Sequence, residues 1–190
     1  MGTSRNDPSP DIPPWRMARA ALGRDQFTPE RQAEALWRAA ASERGERLVD
    51  SFAEPALARA CAIVQAGSPV REALQTFEAA VAELGSAGLT VDMGRRALAR
   101  TAARAGDAAD FAGELFAEGV SYYASRDLPS VVGAAGRVQT AVGSLELKGE
   151  LKRTTKETVV RLGLPASDPD GWRRYVSLAL KALRGVGDAS

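Results

Sequence analysis

Asp107, Asp110, Glu114 and Glu118 step by 3, 4 and 4 residues, a spacing that places four carboxylates on one face of a helix. Carboxylates in such a row can hold a divalent cation through oxygen ligands or exchange protons as acid and base. The segment before them carries Arg96, Arg100 and Arg104 at steps of four, and the two rows flank a turn at Gly106. Folded as an antiparallel hairpin, Arg104 meets Asp107 or Asp110, Arg100 meets Asp110 or Glu114, and Arg96 meets Glu114 or Glu118. Three cations facing four anions account for both rows as a structural salt-bridge hairpin, with no metal. Exposed pairs of this kind contribute only about 0.2–1 kcal/mol each.

Lys148, Lys152 and Lys156 form a second row, on a helix expected from about Leu145 to Leu162. No acid stands three or four residues from any of them; Glu150 and Glu157 bracket Arg153 instead. Like charges four apart on a helix cost about 0.2–0.5 kcal/mol, so the row asks for an anion from outside its own helix. The last helix sets Trp172, Val176, Ala179 and Leu183 beside a polar row of Arg173, Ser177, Lys181 and Arg184. With Arg174, it holds four cations and no acid from Gly171 to Val186. Cations at a helix C-terminus suit its dipole, which covers Lys181 and Arg184 but not Arg173 and Arg174. The loop from Gly163 to Gly171 is short enough to fold this helix back on its predecessor. The expectation is therefore one surface made of Lys148, Lys152, Lys156, Arg173, Arg174, Lys181 and Arg184, which binds a polyanion, nucleic-acid phosphate first.

Other chemistry is scarce. The chain has no histidine, which removes Ser-His-Asp and Cys-His catalysis and every His-bearing metal site, the Glu-x-x-His di-iron bundle among them. No Walker phosphate loop occurs, and Gly133-Ala134-Ala135-Gly136 lacks the full dinucleotide spacing. No catalytic residue, metal or cofactor is expected. Cys61 stands alone in an apolar run, which predicts a buried, inert thiol and no internal disulfide. Tyr122, Tyr123, Ser125, Arg126 and Asp127 could recognise a phosphate, but tyrosines so placed more often bury their rings and send the hydroxyl to the rim.

The elements that must position these residues are helices. The 190 residues are 45% apolar, chiefly Ala, Leu and Val, and 26% charged, a composition for a globular chain with closely packed helices. Prolines and glycines punctuate helical segments: Trp15 to Leu22; Thr28-Pro29 to about Val49; Pro55 to Gly67; Ser68-Pro69 to Gly85; Thr90 to about Ala105; and Asp107 onward with Phe111, Leu115, Phe116 and Tyr122. Pro129-Ser130 opens a glycine-interrupted stretch that closes at Gly163, and Asp168-Pro169 starts the last helix, to about Arg184. The clearest seam is Val70, Leu74, Phe77, Val81 and Leu84, at steps of 4, 3, 4 and 3. No window alternates with period two, so no sheet is expected.

The predicted architecture is all-α, a compact bundle of six to eight helices with Leu36, Trp37, Leu57, Ile63, Leu74, Phe77, Val81, Phe111, Leu115 and Phe116 in its core. Ala-Leu-Ala-Arg recurs at Ala56 and Ala97, 41 residues apart, which makes a helical solenoid the less favoured alternative. Residues 1–14, with four prolines, read as a mobile tail, and 15–190 as one helical domain with a basic section over about 145–186.

No run reaches the roughly 18 apolar residues of a membrane span. The polar N-terminus lacks an apolar signal region, and the single cysteine fits a reducing compartment, so the expected location is cytoplasmic. The Arg and Ala excess points to a GC-rich bacterial genome. The functional expectation is a non-catalytic helical interaction or scaffold subunit of a bacterial multi-protein assembly, with protein partners or copies of itself. The alternative is a nucleic-acid-binding subunit that contacts phosphates through the basic C-terminal helices without reading bases.

Overall fold

A computed structural model describes residues 13–24, 26–130 and 140–185. The helices are α1 (Pro14–Leu22), α2 (Pro29–Arg44), α3 (Glu46–Phe52), α4 (Pro55–Gln65), α5 (Val70–Glu83), α6 (Leu89–Ala103), α7 (Ala108–Asp127), α8 (Ala141–Val160) and α9 (Pro169–Leu183). A single 3-10 turn, Leu128–Ser130, follows α7. No strand occurs among the described residues. The expected tail over 1–14 lies outside them except for its last two residues, as does the Gly133–Gly136 stretch.

The helix starts follow capping chemistry. Orphan amides of the first turn find side-chain acceptors: Thr28 takes the Arg31 N–H, Asp107 that of Asp110 at 2.9 Å, and Asp168 that of Gly171 at 2.8 Å. Thr140 does the same for Gly143 at 3.1 Å, which starts α8 at Ala141, four residues before the expected Leu145. The segment expected to run unbroken to Val49 divides at Gly45, whose φ of 55° and ψ of −133° no helix accommodates. That break raises the helix count to nine among the described residues.

Helix α7 is the axis of a compact all-α bundle. From Ala108 to Ser121 only Asp110 is not buried, because α2, α4, α6 and α8 all pack against it. Two glycines allow the closest approaches. A Cβ at Gly113 would stand 2.9 Å from carbons of Lys156 and Val160 on α8, and one at Gly119 would stand 2.8 Å from Phe52 and 2.9 Å from Trp37. An aromatic knot fills the space around Gly119. Phe116 stacks on Phe52 with centroids 4.8 Å apart, and Trp37 meets Phe52, Phe116 and Tyr123 edge-on. Such packing of elements distant in sequence differs from a solenoid, in which each repeat touches only its neighbours.

Of the expected core, Leu36, Trp37, Leu57, Ile63, Phe77, Phe111, Leu115 and Phe116 are buried. Leu74 and Val81 are only partly covered. Helix α5 lies at the edge of the bundle against α4 and α6, and the small residues Ala73 and Ala80, with Phe77, make its buried face.

Candidate functional site

The two charged rows converge on α7. Arg104, Ala105 and Gly106 turn the chain so that α6 and α7 run antiparallel, and α8 returns antiparallel on the other flank of α7. Glu118 accepts from Arg96 at 3.1 Å and Lys152 at 2.7 Å, and also from Arg100. Glu114 meets Arg104 at 3.2 Å, Lys156 at 3.1 Å and Arg100 at 3.6 Å. Lys156 reaches Asp110 as well, at 3.0 Å. Asp107 caps α7 through the Asp110 amide. The arginine register is therefore one helical turn further along α7 than the sequence suggests for Arg104, which passes Asp107 and Asp110 and pairs with Glu114. Asp110 is left to α8.

These contacts change the premise on which the lysine row was singled out. Lys152 and Lys156 do have acids; they come from α7, 34 to 46 residues away, and not from their own helix. Lys148 donates to Ser125 Oγ at 2.6 Å. The C-terminal cations turn to other neighbours. Arg173 pairs with Asp50 of α3 at 2.6 Å, and Arg184 donates to Leu180 O of its own last turn while its carbonyl accepts from Arg38 of α2. Arg174 and Lys181 are exposed. The seven cations expected to form one surface are thus divided. The lysines join the α6–α7–α8 ridge, and the cations of α9 lie along contacts with α2 and α3 or face solvent. Amphipathic patterning on each helix does not determine how two polar faces are turned about their axes.

The ridge perturbs its own groups. Burial acts to raise the Glu118 carboxyl, but the donors Lys152 and Arg100 outweigh it and hold it at about 2. Burial likewise opposes the charge on Lys156, and Asp110 and Glu114 overcome it, so its ammonium is stabilised. Glu118 is accordingly held as an anion by its cationic neighbours. No group of three or more metal-ligating side chains suited to a metal ion occurs among the described residues.

The polar end of α7 serves packing. Asp127, buried, accepts from Arg19 at 2.9 Å and from Arg126 at 3.2 Å. The Arg126 guanidinium lies 3.7 Å over the Trp15 ring and reaches Glu43 at 3.3 Å. Tyr123 buries its ring against Trp37 and Trp15, while Tyr122 stays exposed. This cluster fastens α1 and α2 to α7. Cys61 is wholly buried, and burial pushes its thiol up to about 12. Native protein at pH 8 is expected to resist iodoacetamide and to react once denatured; rapid native labelling, read by mass spectrometry, would show that the thiol opens to solvent.

A small cleft of about 120 Å³ lies among Glu30, Glu34, Thr154, Thr155, Thr158 and the end of α9. Ligand pockets usually run to roughly 300–1,000 Å³. Its carboxylate Glu34 is already paired, with Arg31 at 3.3 Å and Arg38 at 2.5 Å. Comparison of the chain with protein-family models, curated proteins and solved structures returns no significant match. No helix among the described residues is long and apolar enough to cross a membrane.

Proposed function

We propose that the protein is a non-catalytic helical interaction subunit of a bacterial multi-protein assembly. The observation that carries this reading is the state of the carboxylate row. It is the cluster in the sequence best suited to acid–base or metal chemistry, and its two inner members, Glu114 and Glu118, are each clamped by three cations. Carboxylates so engaged tie α6 and α8 to α7, which supports a structural role for the row. Two further buried polar groups also join separate elements: Trp172 Nε1 donates to Phe52 O at 2.9 Å, and Tyr175 OH to Val159 O at 3.1 Å.

The test is site-specific photo-crosslinking in the living source cell, with the reactive residue placed in turn at exposed positions such as Leu84, Arg104, Arg161 and Leu178. Discrete protein adducts that cluster on one face are the expected result. Adducts that are absent everywhere, or equal at every position, would refute the reading.

A second reading is favoured by one observation. Six cations of the ridge (Arg96, Arg100, Arg104, Lys148, Lys152, Lys156) exceed its four acids, so a nucleic-acid backbone could engage the surplus. In that case affinity for mixed oligonucleotides should fall by about 0.7–0.9 log units per log unit of salt for each phosphate contacted.

A further inference from the structure

We propose that the ridge formed by α6 and α8 over the carboxylates of α7 is the docking surface for an acidic helix of a partner protein. The inference rests on the interaction reading above and names the partner's chemistry.

The charges of the ridge are layered. Glu114 and Glu118 are buried at its floor, while Arg96 and Arg104 lie over them with side chains 52% and 66% exposed. Five cations (Arg96, Arg100, Arg104, Lys152 and Lys156) engage the three carboxylates Asp110, Glu114 and Glu118, a surplus of two positive charges. Each inner carboxylate already carries three cations, which repel one another. Arg96 engages Glu118 through Nε and Arg104 engages Glu114 through Nη1, whereas a guanidinium has five donors to offer. Arg96 and Arg104 thus keep further N–H groups at the solvent side beside crowded positive charge, and a second layer of anions would relieve both.

The spacing specifies which anions. Arg96, Arg100 and Arg104 rise by about 6 Å per step along α6, and Lys148, Lys152 and Lys156 do the same along α8. Both helices run antiparallel to α7 and hence in the same direction. The rows are staggered by half a step over shared carboxylates: Glu118 joins Arg96 and Arg100 to Lys152, and Glu114 joins Arg100 and Arg104 to Lys156. A helix with acids at i, i+4 and i+8 presents the same repeat over the same length of about 12 Å. Laid over α7, it would extend the bundle by one helix and alternate the layers: acids, cations, acids. A nucleic acid is less well matched. Binding to a polyelectrolyte draws on a strongly basic domain, and this chain carries a net charge of only +1.

The experiment titrates the full chain at low salt against a fluorescent, helix-stapled peptide with glutamates at i, i+4 and i+8. A second peptide has the same composition with the glutamates scattered, and a third probe is a single-stranded oligonucleotide. The ordered peptide is expected to bind about tenfold more tightly than the scattered one. The double variant Arg96→Gln/Arg104→Gln should lose about tenfold in affinity, while the remote Arg71→Gln leaves it unchanged. Thermal unfolding of each variant checks that the fold persists; should the double variant unfold, the single Lys148→Gln replaces it, with a smaller loss expected. Absence of peptide binding, equal binding of the two peptides, or tighter binding of the oligonucleotide each overturns the proposal. If the peptide fails while photo-crosslinks appear on another face, the partner docks elsewhere and only this inference falls; if both fail, the interaction reading falls with it.

Discussion

Replacement of Phe116 by alanine is expected to lower the unfolding free energy by about 3–5 kcal/mol, the range for a buried aromatic ring removed from a core that cannot collapse around the gap. Collapse is blocked here because the ring has rigid neighbours on both sides. It stacks on Phe52 with an interplanar angle of 6° and meets Trp37 edge-on at 5.8 Å. Close approach of α7 at Gly119 already fills the remaining space against Phe52 and Trp37. Urea unfolding followed by circular dichroism should show a lower midpoint with an unchanged slope. Tyr122→Ala, six residues further along but exposed, should cost far less. A loss below about 1 kcal/mol for Phe116→Ala would mean that the knot is not the centre of the core.

The second large effect is electrostatic. Glu118→Gln removes the counter-charge of Arg96, Arg100 and Lys152 together. The expected loss at neutral pH is about 2–3 kcal/mol, below the 3–5 of a fully buried pair because the cations can turn to water. The sign of the pH dependence follows from the direction of the shift. The folded carboxyl sits at about 2, beneath its ordinary 4.5, so its contribution is complete above the ordinary value and disappears as pH falls from about 5 toward 2. Wild type should therefore lose stability on acidification more steeply than Glu118→Gln. Parallel curves of melting temperature against pH would show that the network does not set the acid response.

Much of this arrangement was legible in the sequence where the cause is local. Pro29 after Thr28, Asp107 after Gly106 and Pro169 after Asp168 announce helix starts by chemistry that acts within four residues. Gly45 is not legible as a break, since a glycine inside a strong helical pattern gives no sign of which backbone region it will occupy. Thr140 is hard to see as a start because the glycines around it obscure a sound cap. The seam on α5 shows another limit. Val70, Leu74, Val81 and Leu84 have the right period, yet the tightest contacts belong to Ala73, Phe77 and Ala80, and Leu84 is 46% exposed. Periodicity finds the apolar side of a helix, while the size of the neighbours determines which edge of that side is pressed home. For α7 the carboxylate row marks the helix but not its burial: Glu114 and Glu118 are covered because α6 and α8 lay cations over them.

The charged site divides in the same manner. The rows on α6 and α7 could be matched because one turn joins them and fixes their opposition. The lysines of α8 could not, because their acids lie on a helix 34 or more residues earlier, and no spacing within α8 points to it. An unpaired row within one helix is thus weak evidence of an outside ligand until the neighbouring helices have been placed.

The burial of α7 from every side also bears on how the chain is made. As it leaves the ribosome, this segment carries Phe111, Leu115, Phe116 and Val120 together with Glu114 and Glu118, and α8, which covers one whole flank, is still unsynthesised. Until Leu147, Leu151, Lys152 and Lys156 arrive, the nascent protein exposes an apolar surface and two carboxylates that each lack one of their three cations. Helices α1 to α6 can collapse early, but the bundle closes only after most of its length exists. Synthesis stalled between α7 and α8 would leave an adhesive intermediate, which gives chaperones a defined window in which to act.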